Sequence, residues 1–164
     1  MNINVSIDNE NYSSSEGILY DKLQNTLFCY PGGRTETLNI PHSVTKIGSN
    51  SFAHCTNLTV VTVPTTVTII ENFAFYNCSN IASVVIGSSV SAIGYDAFGR
   101  CNNLKSIICN SAVPPDIVIY NNTPERATFN GVPKDISVFI PCQTSLNYCN
   151  SNWSKVFSNI IEDC

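Results

Sequence analysis

Charge is scarce in this chain of 164 residues. Asp, Glu, Lys and Arg make up 12%, about half the usual share of a globular domain. There is no basic run, and the formal net charge is −4 with a pI near 4.9. Nucleic acid is thereby excluded as an expected partner. Histidine is also scarce, with only His42 and His54 to act as bases for a Ser or Cys nucleophile. No stretch approaches the roughly 18 apolar residues of a membrane-spanning helix. No Gly-rich phosphate loop occurs. The first residues, "MNINVSIDNENYSSSEG", lack a basic and then apolar leader pattern, so no signal peptide is expected within this chain.

What is present is enough apolar residue for a core, at 43%. Asn, Ser and Thr replace the missing charge and make up roughly a third of the chain. There are eight cysteines, below the density of a disulfide scaffold.

The dominant pattern is a 23-residue step. It relates Pro41, Pro64, Gly87 and Asn110, and likewise Val44, Val67, Val90 and Val113. It relates Ile47, Ile70 and Ile93, then Phe52, Phe75 and Phe98, then Cys55, Cys78 and Cys101. The pairs Leu38/Ile40, Val61/Val63, Val84/Ile86 and Ile107/Cys109 begin successive units with period-two alternation, as half-buried strands do. Pro or Gly ends each strand, Val-x-x-Ile-Gly gives a second short extended piece, and Phe-x-x-Cys is a turn or a single helical turn. One unit cannot bury its apolar face alone, but stacked copies can, so the fold is a solenoid.

Cys109 and Ile140 are 31 apart, as are Phe98 and Phe129, which is one period plus an eight-residue insertion. The insertion is placed in "VPPDIVIYNNTPER", where Pro114, Pro115 and Pro124 disfavour regular structure. After Pro141 the period is lost. A short helix is expected in "CQTSLNYCNSNW", followed by an apolar stripe of Trp153, Phe157, Ile160 and Ile161 that covers the last repeat. At the other end, "INVSI" alternates like a strand of a preceding unit.

The stretches "LNIPHSVTKIGSNSFAHCTNL", "VTVPTTVTIIENFAFYNCSNI" and "VVIGSSVSAIGYDAFGRCNNL" resemble the BspA-like leucine-rich repeats of bacterial and protist surface proteins. "NYSSSEGILYDKLQNTLFCYPGG" resembles that family's opening strand pair, and "FNGVPKDISVFIPC" with "NYCNSNWSKVFSNIIED" resembles its closing segment. The resemblance implies a β-rich α/β leucine-rich-repeat solenoid with short one-turn helices. One domain over 1–164 is expected: opening strands and cap over 1–36, regular repeats over 37–109, a degenerate repeat over 110–141 and a C-terminal cap over 142–164. It also implies a non-enzymatic binding or structural module, extracellular or at a cell surface. Its partners would be host, matrix or cell-surface proteins. A polysaccharide-binding module and a structural spacer are the alternatives.

Cys55, Cys78 and Cys101 stack in a row about 5 Å apart. A buried ladder of free thiols is the reading, with a disulfide inside the row or a metal as alternatives. Cys109 belongs to a core column and Cys29 to an opening strand; if the protein is extracellular, Cys142, Cys149 and Cys164 are the first candidates for a disulfide, with its existence and the pair left open. His42 and His54 are read as exposed turn residues, and Glu71 and Asp96 as solvated rather than a catalytic pair. "SIDNEN" (6–11) is a faint calcium loop. The Asn-x-Ser/Thr sequons at Asn11, Asn57, Asn77, Asn121 and Asn152 are given no role. No catalytic residue, cofactor or metal ligand is expected. The candidate contact surface is the outward sheet face: Thr37 and Asn39, Val60 and Thr62, Ser83 and Val85, Ser106 and Ile108. Tyr76, Tyr95 and Tyr120 are the sugar-stacking candidates, although they share no column.

Overall fold

Apolar-x-apolar starts should pair side by side, and from Val60 onward they do. The computed structural model describes residues 2–34, 38–120 and 123–164. One parallel sheet contains β5 (Val60–Thr62), β7 (Ser83–Ile86), β9 (Ser106–Cys109), β13 (Ser137–Pro141) and β14 (Asn159–Asp163) in spatial order. The Val-x-x-Ile pieces make a second parallel row of β4 (Lys46–Ile47), β6 (Ile69–Ile70), β8 (Ala92–Ile93) and β10 (Asp116–Ile117). A tight turn joins the faces: Val44, Val67 and Val90 donate their N–H to Pro41, Pro64 and Gly87 carbonyls at 3.0, 3.1 and 3.2 Å. Gly87 suits its corner for a further reason, since a Cβ there would stand 2.5 Å from the Pro64 oxygen.

The Phe-x-x-Cys segments form a third face of turns without helix. Every second N–H bonds within its own turn: Ala53 to Asn50 O, Cys55 to Phe52 O. The N–H groups between them cross to the next coil: Phe52 to Ala74 O at 2.8 Å, His54 to Tyr76 O at 2.8 Å, Phe75 to Ala97 O and Asn77 to Gly99 O at 2.7 Å. This alternation satisfies both sets of donors. It requires left-handed backbone at Asn50, His54, Phe73, Asn77, Asp96 and Arg100, with φ between 50° and 63°. In the fourth coil Gly131 takes the equivalent place, with φ 78°.

The core fills the prism between these faces. Val61, Val84, Ile107 and Val138 enter from one sheet, Ile47, Ile70, Ile93 and Ile117 from the other, and all are buried. Phe52, Phe75, Phe98 and Phe129 enter from the turn face as a column of stacked rings with centroids 4.8, 5.1 and 5.4 Å apart. Tyr30 begins this column, 5.1 Å from Phe52. Each fully buried apolar side chain contributes about 1.5–3 kcal/mol, but only when a neighbouring coil covers it.

The ends depart from expectation. Residues 2–6 form no strand. Ile3 N and Val5 N instead bond Gly17 O and Ser14 Oγ, one contact each, beside an antiparallel meander of β1 (Tyr12–Ser15), β2 (Ile18–Asp21) and β3 (Thr26–Cys29). β3 then pairs in parallel with β4 and joins the second row. Residues 38–40 form no strand either, although Ile40 is buried.

The insertion is more regular than its prolines suggest. Ile117 pairs with Ile93, a step of 24 residues, so one extra residue precedes β10. Most of the rest folds as an antiparallel hairpin of β11 (Ile119–Tyr120) and β12 (Thr123–Ala127), and Pro124 is accommodated in a ladder of only two strands. Val113 leaves its buried column and is 73% exposed.

The period also returns after Pro141. β14 pairs with β13 in register, Val138 against Ile160, a step of 22. The short helices α1 (Ser145–Cys149) and α2 (Trp153–Val156) lie within this closing coil. Trp153 and Phe157 are buried against Phe129, at 5.5 and 5.0 Å between ring centroids. The expected stripe divides here: Ile160 turns toward the core, and Ile161, on the other side of the pleat, faces outward.

Candidate functional site

Each thiol of the Cys column is tied to the backbone of the coil before it. Cys55 Sγ donates to Tyr30 O at 3.7 Å, Cys78 to Phe52 O at 3.0 Å and Cys101 to Phe75 O at 3.3 Å. All three are free and buried. Burial pushes the Cys101 thiol up to about 12, and a hydrogen bond with Cys55, followed by burial, raises Cys78. Held protonated, Cys78 and Cys101 are poor nucleophiles, whereas the hydrogen bond with Cys78 lowers Cys55. Cys109 is buried too and accepts a bond from Tyr148 Oη at 3.1 Å.

Cys142 and Cys164 form a disulfide with Cα atoms 5.0 Å apart, and Cys149 is free and exposed. The pairing follows from the closing coil, which brings the end of β14 back beside the end of β13. Closing a loop of this length stabilises by about 3 kcal/mol. The expected result is that denatured, unreduced protein titrates six thiols and reduced protein eight, with a lower denaturation midpoint after reduction. Eight thiols before reduction would show that the bridge is absent.

The titratable candidates are dispersed. His42 and His54 are exposed, and His54 Nδ1 lies 3.0 Å from Asn77 Nδ2. Glu71 is ion-paired to Lys46 at 2.6 Å and accepts from Ser49 N and Oγ. The Lys46 ammonium, with smaller help from Ser49, holds the Glu71 carboxyl below its usual range. Asp96 is not solvated: it is 5% exposed, and burial raises its pKa. Its left-handed backbone, φ 50°, suits Asp, as it suits the exposed Asn50 of the same column. In the 6–11 loop, the Lys22 ammonium occupies the carbonyls of Ile7 and Asn9, at 3.0 and 2.7 Å. Among the described residues no group of three or more His, Cys, Asp or Glu converges to hold a metal.

The outward face of the longer sheet carries two continuous rows. One runs Val60, Ser83, Ser106, Ser137, Asn159. It is mostly polar and bonds along itself, Ser106 Oγ to Ser83 Oγ and Asn159 Nδ2 to Ser137 Oγ, both 3.2 Å. The other runs Thr62, Val85, Ile108, Phe139, Ile161 and is apolar from Val85 onward. Val60 is 53% exposed and Ile161 36%, with Ser83, Val85, Ser106 and Ile108 between buried and exposed. Asn39 is exposed but belongs to no strand, and Thr37 lies outside the described residues. Sequence reasoning stopped at Ile108; the equivalence of Ile140 with Cys109 already implied Phe139, whereas Ile161 emerges only with β14.

A second cluster joins two of the sugar-stacking candidates, Tyr76 and Tyr95, to Phe73, which sequence reasoning missed. On the turn face Phe73 meets Tyr76 and Tyr95 edge-to-face, at 5.6 and 5.4 Å between centroids. The signal was available in the 23-residue step, since Phe73 stands between the polar Asn50 and Asp96 in its column. The side chain of Tyr120 lies outside the described residues.

Stacked 23-residue coils with two rows of parallel strands, a ring column and a capped end define a leucine-rich-repeat solenoid. No described helix is long and apolar enough to cross a membrane. The chain belongs to the BspA type leucine rich repeat family, whose model matches residues 21–132 in six copies. A leucine-rich repeat protein from Eubacterium ventriosum has the same fold, with TM-score 0.71 and 22% identity, covering 98% of this chain and 42% of its own. So has a leucine rich cell surface protein from Faecalibacterium prausnitzii, with TM-score 0.62 and 24% identity over 96% of this chain and 41% of its own. The pneumococcal vaccine antigen PcpA is similar at TM-score 0.60 and 16% identity, over 99% of this chain and 50% of its own. The chain thus spans half or less of these structures. No curated protein sequence matches it significantly.

Proposed function

We propose that this chain is a non-enzymatic, protein-binding segment of a surface or secreted leucine-rich-repeat protein, with the outward face of the longer sheet as its contact surface. The observation that carries this reading is the row Val85, Ile108, Phe139, Ile161, apolar across four adjacent strands and not fully buried by the chain itself. Cross-strand packing along such a row stabilises the sheet by only about 0.2–1 kcal/mol per pair, whereas a partner that covers it gains roughly 25 cal/mol per Å². The Ser row beside it supplies short polar groups for the rim. The Cys142–Cys164 disulfide supports a location outside the reducing cytosol. The surface description of the Faecalibacterium protein points the same way.

The test is capture of immobilised extracellular-matrix and cell-surface proteins by the chain, compared with an Ile108→Lys/Phe139→Lys variant. At least one protein should bind, with affinity falling 10-fold or more in the variant. Both side chains are partly exposed, so the variant should stay folded. Unchanged binding by a folded variant would remove the sheet face from the proposal. No binding to any protein would favour the spacer role.

A further inference from the structure

We propose that the turn face around Phe73, Tyr76 and Tyr95 is a saccharide-binding site, separate from the sheet face. Phe73 has left-handed backbone, φ 58°, at the position where the neighbouring coils carry Asn50 and Asp96. Asn and Asp tolerate that conformation, whereas a bulky aromatic there is a true outlier. The core gives no reason for the exception, because Phe73 is only partly buried and is not a core residue. Its ring instead joins two half-exposed tyrosines in edge-to-face contact. His54 completes the group on one side of Tyr76, at 5.9 Å between ring centroids, and the Arg100 guanidinium lies 5.6 Å from the Tyr76 ring centre.

The polar groups around the rings are fixed at one end and open at the other. Asn72 Oδ1 accepts Tyr95 N–H at 2.8 Å, and no group among the described residues bonds its Nδ2. Asn77 Nδ2 contacts His54, and no group among the described residues bonds its Oδ1. Amides held this way present neutral donors and acceptors at low entropic cost, as hydroxyl groups require. The turn segments 49–57, 72–80, 95–103 and 127–134 contain eight asparagines. Their one carboxylate, Asp96, is buried. Partly exposed rings for the C–H face of a sugar, neutral amides for its hydroxyls and one guanidinium fit a glycan better than a charged peptide.

The probes are a neutral β-glucan, an α-mannan and chondroitin sulfate, each cast into a native gel through which the chain migrates. The informative variant is Phe73→Asn, which restores the residue type of the neighbouring coils. Relief of the left-handed phenylalanine should leave thermal stability equal or raised, while retardation by at least one of the polysaccharides falls 10-fold or more. Tyr95→Ser should weaken binding as well, and the Ile108→Lys/Phe139→Lys variant should bind normally. The neutral and sulfated polymers distinguish hydroxyl recognition from charge attraction to Arg100. Absence of retardation by every polymer would overturn the proposal. So would retardation that survives Phe73→Asn, or that is lost only in the sheet-face variant.

Discussion

Replacing Trp153 with alanine will cost about 3–5 kcal/mol of stability, as large-to-small changes at fully buried aromatics do. Trp153 is 0% exposed and closes the open end of the core against Phe129, Tyr148 and Phe157. Its indole N–H also donates to Pro115 O at 2.9 Å, from a proline in the segment that carries the insertion. Truncation therefore leaves a cavity and an unanswered buried carbonyl together. Trp153→Phe should lose less, because it keeps the ring and gives up the hydrogen bond. For a chain of this size the alanine variant should melt on the order of 10 °C lower, measured by circular dichroism. A fall of only a degree or two would mean that the closing coil is dispensable to the array.

Phe75→Ala will have a comparable effect by a different route. Phe75 stacks between Phe52 at 4.8 Å and Phe98 at 5.1 Å, in the middle of the ring column. Its removal costs about 3–5 kcal/mol. In an array whose coils contact only their neighbours, it also weakens the coupling between the two halves. Native-state hydrogen exchange should then show amides on either side of coil 72–80 opening at different free energies, where the unaltered protein opens them together. Phe75→Leu should retain most of the stability, costing under about 1.5 kcal/mol. Identical exchange in the Phe75→Ala and unaltered proteins would contradict a core held together by this column.

Most of the architecture was legible because the repeat is local: a step of 23 residues fixes which residues stack, and alternation fixes which face inward. What was not legible depends on contacts between coils. The turns at Asn50–Cys55 and their equivalents alternate handedness only because every second N–H reaches the next coil, and nothing in Phe-x-x-Cys announces that. The closing coil was hidden by a step of 22 and by helices in place of turns, so neither β14 nor the choice of Cys164 as partner of Cys142 was readable. The sheet rows were read as far as the period held, to Ile108. Tyr76 and Tyr95 lie in different columns and meet only through Phe73, whose N–H bonds Tyr95 O at 2.9 Å across the coil boundary.

The bridge between Cys142 and Cys164 also has a mechanical consequence. The ladders between coils run along the axis of the solenoid, so a pull along that axis opens them one layer after another, like a zip. Tension applied at Cys164 passes through sulfur to Cys142 and bypasses the chain between them, a separation of 22 residues. The closing coil therefore cannot be drawn out as thread, and the load is first felt at β13. In single-molecule stretching, the contour length released would be shorter by that loop until a reductant is added.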